Sequence, residues 1–178
     1  MLVTNELYTG LQIDGRRGKE MDAQEQFEGF LRKYEPGVAA EAKKSLAKLR
    51  KLIPNAIEMV YDNYNALVVG FCPGTRPSEA IVSIAVMPEW VSLCFLQGAG
   101  LPDPEKRLEG SGNVARHIKM KKGAVTLDEP AVRTLIAEAL VCTKVPIPTD
   151  QKRQFVIKSV SAKQRPRRPS AIRTKNKR

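Results

Sequence analysis

Two runs, 79–87 and 90–97, are apolar at nearly every position, and only Pro88 and Glu89 lie between them. So short a connection admits only a tight antiparallel hairpin. A strand with one wet face alternates polar and apolar residues, whereas a strand apolar throughout is covered on both faces. These two runs are therefore central strands, covered by helices, by the N-terminal leader or by a partner subunit. The stretch 64–72, rich in Val, Leu and Phe, reads as a third strand. The stretch 114–120 alternates: Val114, Ile118 and Met120 face one way, interrupted by Arg116, while Ala115, His117, Lys119 and Lys121 face the other.

Helical periodicity supplies the cover. From Met21, residues Phe27, Phe30, Leu31 and Tyr34 recur on one face. Pro36 suits the first turn of a second helix, in which Val38, Ala42, Leu46, Leu49 and Ile53 form a stripe and the intervening lysines a solvated face. Pro54 ends it and opens a short helical turn through Val60. Asp128 is the expected N-cap of a last helix with Val132, Leu135, Ile136, Ala139 and Leu140 inside. Phe155, Val156 and Ile157 suit a final short strand. Helices followed by a strand meander predict an α+β fold: an antiparallel sheet of four to six strands packed on helices. The expected organisation is a poorly ordered leader at 1–20, with a short strand at 6–13, one domain at 21–150, and a basic disordered tail at 151–178.

Charge is segregated along the chain. Residues 151–178 hold eleven of the 30 Lys and Arg and no Asp or Glu, leaving 19 basic against 19 acidic residues in 1–150. The tail thus carries the whole formal charge of +11. From Ser161 onward it has too little apolar surface to offset its ordering entropy. Cys72, Cys94 and Cys142 lie in apolar stretches without ligand spacing, as buried reduced thiols of a cytoplasmic protein do. The uncharged runs 64–75 and 91–102 are too short for membrane insertion, and the N-terminus lacks the apolar segment of a signal peptide.

Several motifs together resemble one family: Ile53-Pro54-Asn55-Ala56-Ile57-Glu58, Tyr61-Asp62-Asn63-Tyr64-Asn65, Leu101-Pro102-Asp103-Pro104, Gly110-Ser111-Gly112 and Arg116-His117-Ile118. Over roughly 38–142 the chain is similar to the YdhG-like family, domain of unknown function 1801. The resemblance implies a compact, frataxin-like α+β unit, and an iron-chaperone role for some members. Frataxin-type iron binding uses an acidic ridge, because hard iron ions prefer carboxylate oxygen; the corresponding helix here is lysine-rich.

Catalytic and cofactor motifs are missing: no GxSxG, no phosphate-binding Gly-Lys loop, no GxGxxG. His117 is the sole histidine, which leaves no His cluster for a metal. The expectation is a non-enzymatic binding or scaffold protein without a cofactor, monomeric or homodimeric. Two surfaces are candidates. Tyr61, Asn63, Tyr64 and Trp90, with Arg116, His117 and Lys119, would line a sheet-face cleft for a small anionic ligand if their strands were neighbours. This is the surface a small-molecule or iron carrier would use. Lys163, Arg165, Arg167, Arg168, Arg173, Lys175, Lys177 and Arg178 would hold nucleic acid non-specifically through its phosphates.

Overall fold

The computed structural model describes residues 22–169. Six strands, β1 (Ile57–Asp62), β2 (Leu67–Cys72), β3 (Val82–Val86), β4 (Val91–Phe95), β5 (Arg116–Lys119) and β6 (Gln154–Val160), form one sheet in the order β5-β4-β3-β2-β1-β6. Strands β1 to β5 are antiparallel neighbours. The α+β class is as expected, but the sheet is mixed: β6 lies parallel to β1, with a register shift between Val60 and Tyr61. The leader at 1–20 with its strand at 6–13, and residues 170–178, lie outside the described residues.

The α-helices among the described residues are α1 (Ala23–Leu31), α2 (Pro36–Leu52) and α3 (Pro130–Val141). Phe27, Phe30, Leu31 and Tyr34 are buried at and just beyond α1, as are Ala42, Leu46 and Leu49 of α2 and Val132, Leu135, Ile136 and Ala139 of α3. They join Val60, Val69, Phe71, Ile84, Leu93, Phe95 and Ile118 in one cluster. Each large side chain buried there stabilises by roughly 1.5–3 kcal/mol. The helices thus share one sheet face.

On the other face, cross-strand register lines up two rows, Tyr61–Val68–Ala85–Ser92–Lys119 and Met59–Gly70–Ser83–Cys94–His117. The centre of this face is built from small side chains, and the buried apolar side chains of α1, α2 and α3 all lie in the opposite cluster.

Two local expectations are corrected. The turn through Val60 is strand β1. Its helix-facing side carries Glu58, Val60 and Asp62, and both acids are 0% exposed, an inside-charged pattern that hides a strand from periodicity. Asp128 does not cap α3. It ends a 3-10 turn, Gly123–Asp128, and pairs with Lys48 and with Arg133 at 3.5 Å. Pro130 opens the helix, which forces the preceding residue into extended backbone, so Glu129 (ψ 130) holds the cap position.

Candidate nucleic-acid and ligand surfaces

The proposed sheet-face cleft is not assembled. Strands β1 and β5 are separated by three others, about 19 Å at ordinary strand spacing. Tyr61 and Lys119 stand at opposite ends of one row and His117 at the end of the other. Arg116 is in register with Phe95, and its guanidinium bonds the carbonyls of Gly112 and Ala115. Asn63 and Tyr64 sit exposed in the β1–β2 hairpin. Trp90, in the β3–β4 hairpin, is met by one candidate: the Lys119 ammonium lies 3.8 Å from its ring centroid, a cation–π contact. Sequence patterning shows which residues share a strand face but not which strands are neighbours, and this cleft required the order of the meander.

The cations that do reach the β1–β2 hairpin come from the C-terminal segment. Arg165 donates its backbone N–H to the Tyr64 carbonyl at 2.9 Å and its guanidinium to Asn65 Oδ1 at 3.3 Å. Arg167, only 4% exposed, bonds Asp62 at 2.9 Å and the carbonyls of Asn63 and Tyr64. Lys33 reaches the same carboxylate at 2.6 Å. Arg168 donates to the carbonyls of Tyr34 and Arg32, each at 3.2 Å. The expectation of a disordered tail is therefore corrected for 151–169: β6 pairs with β1, and the residues after it close over the β1–β2 hairpin. Phe155 and Ile157 pack on the core as β6 pairs with β1, and buried charge adds a second cause. An isolated buried carboxylate is costly, and one with charged hydrogen-bonding partners is not. Glu58 is clamped by Arg50 at 2.8–3.1 Å, with Arg153 at 3.7 Å; Asp62 is held by Lys33 and Arg167.

Beside this pair, the Tyr34 hydroxyl donates to the Val86 carbonyl at 3.0 Å and accepts the Leu67 N–H at 2.9 Å. Burial raises its pKa to about 12, against the opposing pull of Arg167. Once the residues paired with acids are set aside, Lys152, Lys158, Lys163 and Arg165 remain exposed along and beyond edge strand β6. Charged edge residues also discourage sheet-to-sheet aggregation, which is their simplest role. Arg173, Lys175, Lys177 and Arg178 lie outside the described residues.

A third feature escaped the sequence reading. At the end of the sheet opposite the hairpins is a cavity of about 540 Å³, floored by Ile81, Phe95, Leu101 and Ala139 and rimmed by Val114 and Val145. Its lining loops are tied by a bond from the Ala99 N–H to the Val114 carbonyl at 2.9 Å. Gly98 is indispensable there, since a Cβ would come within 2.6 Å of the Arg116 Cβ. Cys142 lines the same cavity and is exposed, correcting the expectation of three buried thiols. Cys72 is buried and its thiol pKa is pushed up to about 12; burial raises that of Cys94 too. Among the described residues no group of three His, Cys, Asp or Glu could hold a metal ion, and no helix is long and apolar enough to cross a membrane.

The class defined here is a mixed-sheet α+β domain with a cationic edge. Comparison with family models, curated proteins and solved structures returns no match. The YdhG-like resemblance thus rests on the sequence motifs alone.

Proposed function

We propose that this chain is a non-enzymatic binding domain that contacts nucleic acid non-specifically through the cationic edge formed by β6 and the residues after it. One observation carries the reading: the last 28 residues hold eleven cations and no acid, and Lys152, Lys158, Lys163 and Arg165 stay exposed although the segment is folded into the sheet. Phosphate contacts made by such residues are electrostatic and blind to sequence.

Deleting 151–178 would remove β6 and Arg167, so loss of binding in that deletion would report unfolding as readily as lost contacts. The test is fluorescence anisotropy of labelled DNA and RNA across a salt series. It compares the full chain with a variant carrying Lys152→Gln, Lys158→Gln, Lys163→Gln and Arg165→Gln. Weaker binding and a shallower salt dependence support the reading; unchanged binding, or none by the parent chain, ends it.

The apolar cavity favours a second reading, a small-molecule carrier. Its volume lies within the roughly 300–1,000 Å³ of small-molecule sites. In that case binding of an apolar fluorophore survives the four-residue variant and fails in Val145→Glu at the cavity rim.

A further inference from the structure

We propose a phosphate-binding site beside β5, at the opposite edge of the sheet from β6, that takes a small phosphomonoester. A recess of about 210 Å³ is lined by five cations, Lys106, Arg107, Lys119, Lys121 and Lys122, together with Glu109, Glu129, Ile118 and Thr126. Glu129 is held by Arg107 and by Lys122 at 3.2 Å. Lys106, Lys119 and Lys121 form no ion pair among the described residues. The excess charge is positive even with Glu109 counted.

Two independent observations point to a ligand. Thr126 is 3% exposed, lines the recess, and its hydroxyl has no hydrogen-bond partner. A buried hydroxyl without a partner is costly; the Thr126 oxygen is closed off from solvent, and a turn of its side chain toward a bound phosphate would give it one. Lys106 has φ 52, alone among the described non-glycine residues in having positive φ. A lysine gains nothing locally from that left-handed backbone, and such strain concentrates at functional sites. The turn is held by Asp103, whose carboxylate accepts the N–H groups of Arg107 and Leu108 at 2.9 and 2.8 Å. The recess is too small for a bulky body, so the rest of the ligand lies outside it.

The protein carries its own reporter, because Trp90 is its sole tryptophan and Lys119 rests on the ring. Inorganic phosphate and glycerol phosphate are titrated into the full chain while Trp90 fluorescence is followed. A saturable change is expected, as an anion draws Lys119 from the indole. Lys121→Gln should weaken the affinity roughly tenfold, the loss of one charged hydrogen bond. Thr126→Val is the sharper variant: it removes an unsatisfied hydroxyl, so thermal stability holds or rises while phosphate affinity falls. A purely structural Thr126 would change stability alone. The proposal fails if no saturable change occurs, or if both variants bind phosphate as the parent does.

Discussion

At the scale of single residues, Tyr34 shows what sequence conveys and what it leaves out. Its place in the apolar stripe with Phe27, Phe30 and Leu31 foretells burial, but not that its hydroxyl bridges β2 and β3 through Leu67 and Val86. Burial raises its pKa to about 12, whereas the unfolded phenol ionises near its ordinary value of about 10. Between those values the unfolded chain sheds a proton that the native state keeps. The stability tied to Tyr34 is thus intact below about pH 10 and is lost as pH rises toward 12, with an upper bound of about 2–3 kcal/mol. Urea unfolding of the parent and of Tyr34→Phe at pH 8, 10 and 11.5 isolates this from the titration of other groups. The parent should lose stability faster with pH than the variant, and parallel losses would show that Tyr34 is not the source.

Among elements, the helices were legible because their periodicity reports a buried face directly, and the β3–β4 hairpin because two continuously apolar runs are joined by only two residues. The Met87–Trp90 closure (N···O 2.8 Å) lies where Pro88 and Glu89 put it. Phe155, Val156 and Ile157 marked the final strand, but strand β1 and the ordered segment after β6 were illegible for one shared reason. Glu58 and Asp62 face inward, so β1 lacks the apolar alternation of a strand, and the cations that neutralise them are Lys33 and Arg50, upstream, and Arg153 and Arg167, 95 and 105 residues downstream of their partners. A composition that marks 161–169 as solvated chain cannot show that Arg167 has a buried carboxylate waiting for it. Breaking that pair leaves Asp62 dependent on Lys33 alone. Arg167→Ala should therefore destabilise by about 3–5 kcal/mol, the usual penalty for removing one partner of a buried pair. Arg165→Ala, at an exposed contact with Asn65, should cost well under about 1 kcal/mol. Chemical denaturation of both variants checks the contrast; similar losses would mean that Arg167 is no more embedded than its neighbour.

For the whole molecule, the division into a neutral body and a charged tail does not survive folding. Arg153, Arg167 and Arg168 turn toward Glu58, Asp62 and Glu35, so part of the tail's charge balances the body's acids. At most eight cations of the last 28 residues are then left for phosphates: Lys152, Lys158, Lys163 and Arg165, with Arg173, Lys175, Lys177 and Arg178 beyond the described residues. Counterion release sets a ceiling on the salt dependence of duplex DNA binding: a logarithmic slope no steeper than about −7 for these eight, against about −10 if all eleven engaged. The four-glutamine variant halves the available cations and should bring the ceiling to about −4. A parent slope near −10 would require Arg167 to leave Asp62 on binding, so DNA would compete with the fold and saturating DNA would lower the melting temperature. A slope at or below the smaller ceiling, with the melting temperature unchanged or raised as expected for a ligand of the native state, keeps the internal ion pairs and the external cationic edge as separate devices on one segment.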